Sequence, residues 1–267
     1  MSITDNIVKR YYSKTQILLK LANYFNRNLL FDQKALNYCL NRGLTKKGID
    51  SFLIGYDINA SSLQNFIERE KLDPEILINL GFLSKNEDNS YYDKFSKRIV
   101  FPVFDIKGNV MGFSGRIWKK GDTRSKYVNC ALSSIYQKSL AVYGLFHSIY
   151  DILISNLVII VEGIFDVSTC HQEGIKIAVS SCGTSFMKEH FLILRQFTNR
   201  FIFCFDNDTG GNVAIEKVKK LLNNEKGIKV GYLKIEGAKD PDEFIQKYGS
   251  EYLKSSILEL EKELIFV

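Results

Sequence analysis

The sequence predicts an α/β fold: a basic N-terminal region of mixed α+β structure, then a mainly parallel βαβ sheet, then short C-terminal helices. Three observations carry this. Apolar runs at 157–161, 175–179, 200–205 and 228–233 alternate with helical segments at 166–173, 187–197 and 212–223. The run 157–161 is apolar at five consecutive positions and mostly β-branched, and Phe201–Phe205 continues the pattern, so both are strands buried on both faces, as a parallel sheet with short crossovers requires. Two of the runs end in carboxylates: Leu157–Val161 in Glu162-Gly163, and Arg200–Phe205 in Asp206-Asn207-Asp208-Thr209-Gly210-Gly211. Finally, residues 1–150 carry 22 Lys and Arg against 13 Asp and Glu, whereas residues 151–267 carry 14 against 17. A basic half joined to an acidic one suits a protein that grips a polyanion and does phosphate chemistry beside it.

Composition bounds the rest. The 267 residues are 45% hydrophobic and 25% charged with three prolines, which is globular and leaves room for one large or two modest domains. The N-terminal Met1–Asn6 lacks an apolar signal core and no apolar run reaches membrane-spanning length, so a cytoplasmic, nucleoid-associated protein without a membrane partner is expected. Cys39, Cys130, Cys170, Cys182 and Cys204 are odd in number and lack C-x-x-C spacing. No disulfide framework and no zinc are expected.

In chain order, residues 7–30 have helical apolar spacing, with Ser13 or Thr15 as candidate starts. A helix from Asp32 to Asn41 stops at Arg42-Gly43, and Thr45 caps another over 46–52. Leu53–Asp57 reads as a short strand, Ser61–Glu70 and Pro74–Leu80 as small helices, and Ser84–Ser90 as a polar loop. Residues 94–138 hold ten basic residues against two acidic ones. Two strands, Arg98–Phe104 and Val110–Trp118, flank the turn Asp105–Asn109. Basic side chains interleaved with Trp118, Tyr127 and Tyr136 suit phosphate contacts with base or ribose stacking.

The carboxylates point to a metal. Ligands of open α/β sheets gather at the carboxyl ends of the strands. Glu162, Asp206 and Asp208 brought to one such edge repel one another unless a cation neutralises them. Oxygen-only donors suit Mg²⁺ or Mn²⁺ held together with substrate phosphates. Gly183-Thr184 lies on a strand-to-helix turn whose backbone N–H groups can meet an anion.

Glu162-Gly163-Ile164-Phe165-Asp166 and Asp206-Asn207-Asp208 resemble the two signatures of the Toprim fold, shared by bacterial primases, type IA and II topoisomerases and some nucleases. An ordered series then resembles the RNA polymerase core of DnaG-type bacterial and phage primases. It runs through Arg98–Val103, Gly112–Arg116, Lys126–Asn129, Tyr136–Lys138, Tyr143–Leu145 and Asp240-Pro241-Asp242. The resemblance covers residues 15–265 or so.

The resemblance implies a primer-synthesising core: residues 1–150 as its basic subdomain, 155–236 as the Toprim domain, and 237–267 as an acidic turn with C-terminal helices. Asp206 and Asp208 would be metal ligands, Asp240 and Asp242 would complete the site, and Glu162 would be a further ligand or the general base. Asp166 would support them from behind. Arg98, Arg116, Lys126 and Lys138 would contact template, primer or nucleotide phosphates, while Tyr127, Asn129, Gly183 and Thr184 would contact the nucleotide. The implied partners are single-stranded DNA, ribonucleoside triphosphates, an RNA primer, and a replicative helicase reached through regions absent from this chain. The family's zinc-binding domain is not expected within these residues, and its closing helical subdomain is expected to be cut short at Val267. The family's Asp-Gly-Asp is Asp206-Asn207-Asp208 here, which keeps both carboxylates. A Toprim nuclease and a non-catalytic single-strand-binding module are the rival readings. Topoisomerase is the weakest, for want of a domain offering a nucleophilic tyrosine.

Overall fold

The N-terminal helix α1 (Ile3–Phe31) runs unbroken for 29 residues, because no glycine or proline interrupts it. The expected starts at Ser13 and Thr15 therefore lie inside it, and Thr15 is buried. The computed structural model describes residues 3–88 and 90–266. It comprises two units, one reaching to Lys138 and one starting at Ser139.

In the first unit α1 buries Leu18, Leu21, Ala22, Phe25 and Leu29, a stripe at helical spacing, against a four-stranded sheet. Helix α2 (Gln33–Asn41) is capped by Asp32 and α3 (Lys46–Ser51) by Thr45, whose side chains accept the exposed N–H groups of the first turns. Strand β1 (Gly55–Tyr56) passes so close to α1 that a Cβ on Gly55 would sit 2.4 Å from the Cβ of Phe25. Helices α4 (Ala60–Arg69) and α5 (Pro74–Asn79) follow.

The expected polar loop gives its first two residues, Ser84 and Lys85, to strand β2 (Leu83–Lys85), which pairs antiparallel with β3 (Tyr91–Asp93), and the rest of it connects the two strands. Three-residue strands with exposed polar positions carry too little alternation to register in a sequence. Strands β4 (Arg98–Phe104) and β5 (Val110–Ile117) form the expected hairpin, and β6 (Tyr127–Asn129) adds to its far side, giving the order β1-β4-β5-β6. Phe25, Phe82, Phe95 and Phe113 meet at the centre of this unit, Phe82 stacking on Phe95 at 4.9 Å.

The second unit opens with α6 (Leu145–Ser155), whose Leu145 and Ile152 enter its core beside Val158 and Phe201. Residues 139–150 thus pack with the parallel sheet, and the boundary expected at 150 falls inside a helix. The sheet holds β7 (Val158–Val161), β8 (Ala178–Ser180), β9 (Arg200–Cys204) and β10 (Lys229–Tyr232), all parallel, with β11 (Ile265–Phe266) antiparallel at one edge. Its order is β11-β10-β9-β7-β8. Between the strands lie α7 (Ile164–Gln172), α8 (Lys188–Leu194) and α9 (Thr209–Leu222), and α10 (Pro241–Tyr248) and α11 (Ser250–Lys262) follow β10.

The strand order positions the site. From β7 the chain crosses to β8 on one side, whereas from β9 it crosses to β10 on the other. The carboxyl ends of the neighbours β7 and β9 therefore form a topological switch point, where such sheets open a crevice. No described helix is long and apolar enough to cross a membrane.

Candidate active site at the switch point

Glu162 follows β7 and Asp206 follows β9 by one residue, so the pairing of Val161 with Cys204 brings the two acids together. Glu162 Oε1 accepts the backbone N–H of Asp206 at 3.0 Å. Burial pushes the Glu162 carboxyl above its ordinary range, and the charges of Asp206 and Asp208 push the same way against Lys239. Asp206 is likewise raised, first by burial and then by Asp240 and Asp208, with Lys239 opposing at 3.5 Å from Oδ2. Two half-buried acids that destabilise each other's charged form are suited to neutralisation by a cation.

The other acids have defined local work. Asp208 caps α9, its Oδ1 accepting Gly211 N–H at 2.9 Å. Gly211 is required there, since a Cβ would lie 1.9 Å from the carbonyl oxygen of Asp206. Asp240 caps α10 through Glu243 N–H at 2.8 Å, with Pro241 at the first helical position. The 206–208 turn is tied to this segment by Asn207 N–H donating to the carbonyl of Lys239 at 2.7 Å.

Asp242 and Asp166 lie deeper. Asp242 is 2% exposed, and its Oδ1 accepts from Thr169 Oγ1 and Gln246 Nε2, both at 2.8 Å. Its backbone N–H donates to Asp166 Oδ1 at 3.2 Å, while Gly163 N–H donates to Asp166 Oδ2 at 2.9 Å. Burial pushes Asp166 well above the usual carboxylate range, and Asp240 and Asp242 add to it. This pair holds α10 on α7 and faces the helix interface.

Among the described residues no group of three or more His, Cys, Asp or Glu is gathered tightly enough to hold a metal by itself. The direct contact is between Glu162 and Asp206, flanked by the caps Asp208 and Asp240. One or two carboxylates completed by water and substrate phosphates is a donor set that Mg²⁺ accepts, so these residues fit the ion. Beside Glu162 opens a cavity of about 270 Å³ lined by Gly183, Thr184, Phe186, Phe205, Gly210 and Lys217, among others. Gly183 (φ +72°) and Cys182 (φ +55°) are both left-handed, and a Cβ on Gly183 would meet nothing within 4 Å. Thr184 closes its turn by donating Oγ1–H to the Ser181 carbonyl at 2.7 Å.

The basic hairpin divides into braces and exposed charges. Arg98 is 3% exposed, and its guanidinium donates to the carbonyls of Lys94 (3.2 Å) and Ser125 (2.8 Å). It thereby anchors the 122–126 loop to the start of β4 and presents no charge to solvent. Arg116 Nη1 donates to Tyr127 Oη at 2.8 Å and lies over that ring at 5.4 Å, so the two side chains form one half-buried pair. Lys126 and Lys138 are exposed, and Asn129 is half-buried at the end of β6. Trp118 packs against Tyr38 and Tyr56, with the Lys119 ammonium 5.3 Å from its ring.

Sequence reasoning missed Lys239 and Lys217. Lys239 is adjacent to Asp240-Pro241-Asp242, which was a positional signal, but the direction of its side chain was not legible.

Residues 24–149 match the family described as DNA primase catalytic core, N-terminal domain, and residues 159–245 match the Toprim-like family. The DNA primase of Clostridium acetobutylicum is 34% identical over 260 residues, covering 94% of this chain and 43% of that protein. That of Enterococcus faecalis is 32% identical over 247 residues, covering 90% and 39%. The chain thus spans about two fifths of the length of these relatives. Among solved structures, the zinc-binding and RNA polymerase domains of Aquifex aeolicus primase superpose with a TM-score of 0.85 at 28% identity, over 95% of this chain and 62% of that one. The E. coli primase catalytic core superposes at 0.81 and 29%, over 94% and 80%. A DnaG primase catalytic domain bound to single-stranded DNA superposes at 0.83 and 28%, over 97% and 81%. With both halves matched in order, and with the carboxylates of the Toprim signatures at the switch point, the chain belongs to the DnaG-type bacterial DNA primases and corresponds to their catalytic core.

Proposed function

We propose that the chain synthesises short RNA primers from ribonucleoside triphosphates on a single-stranded DNA template. The observation that carries this reading is the Glu162–Asp206 contact at the switch point of a primase-family sheet. Joining a nucleoside triphosphate to a 3′-hydroxyl requires alignment, removal of one proton and neutralisation of the leaving pyrophosphate. Glu162 and Asp206 are the residues to hold Mg²⁺ or Mn²⁺, with Asp208 and Asp240 flanking. When bound there, a divalent ion would supply charge neutralisation for the phosphoryl transfer. Glu162, whose Oε1 is oriented by the Asp206 N–H, serves either as a further ligand of the ion or as the general base that takes the proton of the attacking hydroxyl. Asp166 and Asp242 hold α10, and with it Asp240, in register. On the basic unit, the exposed Lys126 and Lys138 contact phosphates, the Arg116–Tyr127 pair and Asn129 contact nucleotide or template, and Arg98 is a buried brace between the Lys94 and Ser125 carbonyls. The Gly183-Thr184 turn meets an anion beside Glu162. The DNA-bound relative supports single-stranded DNA as template, and a replicative helicase would be engaged through other regions.

The test is incorporation of labelled ribonucleotides on single-stranded DNA with Mg²⁺ or Mn²⁺, with and without an annealed RNA primer. Template-dependent RNA that disappears in Asp206→Ala/Asp208→Ala is expected. Cleavage of end-labelled DNA without nucleotides, and no synthesis from either template, would replace this reading with a nuclease.

A further inference from the structure

Lys239 stands out among the residues at the acidic edge because its backbone is pinned while its side chain is exposed. Its N–H donates to Glu243 Oε2 at 2.9 Å and its carbonyl accepts Asn207 N–H at 2.7 Å. The next residue, Asp240, starts α10. The Cα is thus fixed beside the Asp206 turn. The ammonium, on a side chain 54% exposed, reaches Asp206 Oδ2 at 3.5 Å.

We propose that Lys239 is a resident counter-ion that competes with the divalent cation for Asp206 and, once displaced, turns to the phosphates of the bound nucleotide. The proposal rests on the reading of Glu162 and Asp206 as metal ligands. Its physical basis is an unequal competition. An exposed pair at 3.5 Å is a weak contact on a flexible four-carbon stem. A divalent ion placed between two half-buried carboxylates carries twice the charge and wins that position. The released ammonium cannot travel far from a pinned backbone, and it remains next to an edge whose carboxylate charge the ion has partly offset. A polyphosphate arriving at the ion is the anion within its reach.

Mn²⁺ binding, followed by loss of the free-ion EPR signal in the absence of nucleotide, separates the outcomes. Removing the competing charge in Lys239→Gln is expected to tighten Mn²⁺ binding by about threefold to tenfold, an effect that shrinks at high salt. Lys239→Arg keeps the charge and is expected to stay within about twofold of wild type, by the same Coulombic argument. In saturating Mg²⁺ without template, Lys239→Gln is expected to bind ATP several-fold more weakly by calorimetry. If Asp206→Asn loses Mn²⁺ but Lys239→Gln binds it no more tightly than wild type, the counter-ion role is overturned while the metal site stands. If ATP binding is unchanged, the phosphate role is overturned. Mn²⁺ binding indifferent to Asp206→Asn overturns the metal reading, and this proposal with it.

Discussion

Glu162 and Asp206 are joined by a hydrogen bond from the backbone of one to the side chain of the other, at 3.0 Å. The carboxylate that ends β7 is therefore oriented by the chain leaving β9, and the geometry is expected to survive loss of the Glu162 charge but not loss of its oxygen. Glu162→Gln keeps an acceptor for the Asp206 N–H, and its stability is expected within about 1 kcal/mol of wild type. Glu162→Ala leaves that half-buried N–H without its partner and is expected to cost about 1–3 kcal/mol. Both variants are expected to lose primer synthesis. Urea unfolding beside the synthesis assay checks this, and equal stability of the two variants would show that the hydrogen bond contributes nothing.

Arg98 and Lys126 are expected to separate cleanly in DNA binding. Arg98 is buried and donates only to backbone carbonyls, so Arg98→Met leaves carbonyls unpaired and is expected to cost about 2–3 kcal/mol of stability. The salt dependence of single-strand binding by the folded variant should be unchanged. Lys126 is exposed, and Lys126→Ala is expected to leave stability intact while flattening the slope of log K against log salt by about 0.7. Fluorescence anisotropy over a salt series measures both. A flatter slope for Arg98→Met would place its charge on the DNA instead.

His171 gives the second unit an acid-sensitive latch. Its Nε2 lies 2.9 Å from the carbonyl of Ala178 and 3.1 Å from Ser148 Oγ, joining α7, β8 and α6. Burial pushes its pKa down to about 4, with the neighbouring His147 and Lys176 acting the same way against the hydrogen bond to Ala178. Because the folded value lies below the unfolded one of about 6.5, the neutral ring's contribution is complete above pH 6.5 and is lost as pH falls towards 4. The expected loss is on the order of 3 kcal/mol. His171→Gln should flatten that part of the stability–pH curve. A curve that keeps its full slope in the variant would assign it to other groups.

Much of this architecture is local and therefore legible. Asp32 and Thr45 cap their helices because a side-chain oxygen beside exposed N–H groups needs no distant partner. The runs ending at Val161 and Cys204 are strands because only a doubly covered sheet can bury so many consecutive apolar residues, and the acids that follow them emerge at its carboxyl edge. The basic character of residues 94–138 is equally a property of composition.

Direction and burial are not local, and tertiary packing alone decided them. Strands β2, β3 and β6 are three residues each and exist through the partners that pair with them. Arg98 turned inward because the 122–126 loop brought carbonyls within its reach, which a basic residue in a sequence does not announce. Asp242 faces Thr169 across 73 positions of chain, and its burial follows from α10 lying on α7. The order β9-β7-β8 made a switch point where Glu162 and Asp206 meet, and the tie from Asn207 to Lys239 brought a lysine to the same place. Sequence determines which chemistry emerges from each strand, because that depends on neighbours along the chain. Which of those groups touch depends on contacts between segments far apart in it, and only the folded chain sets them.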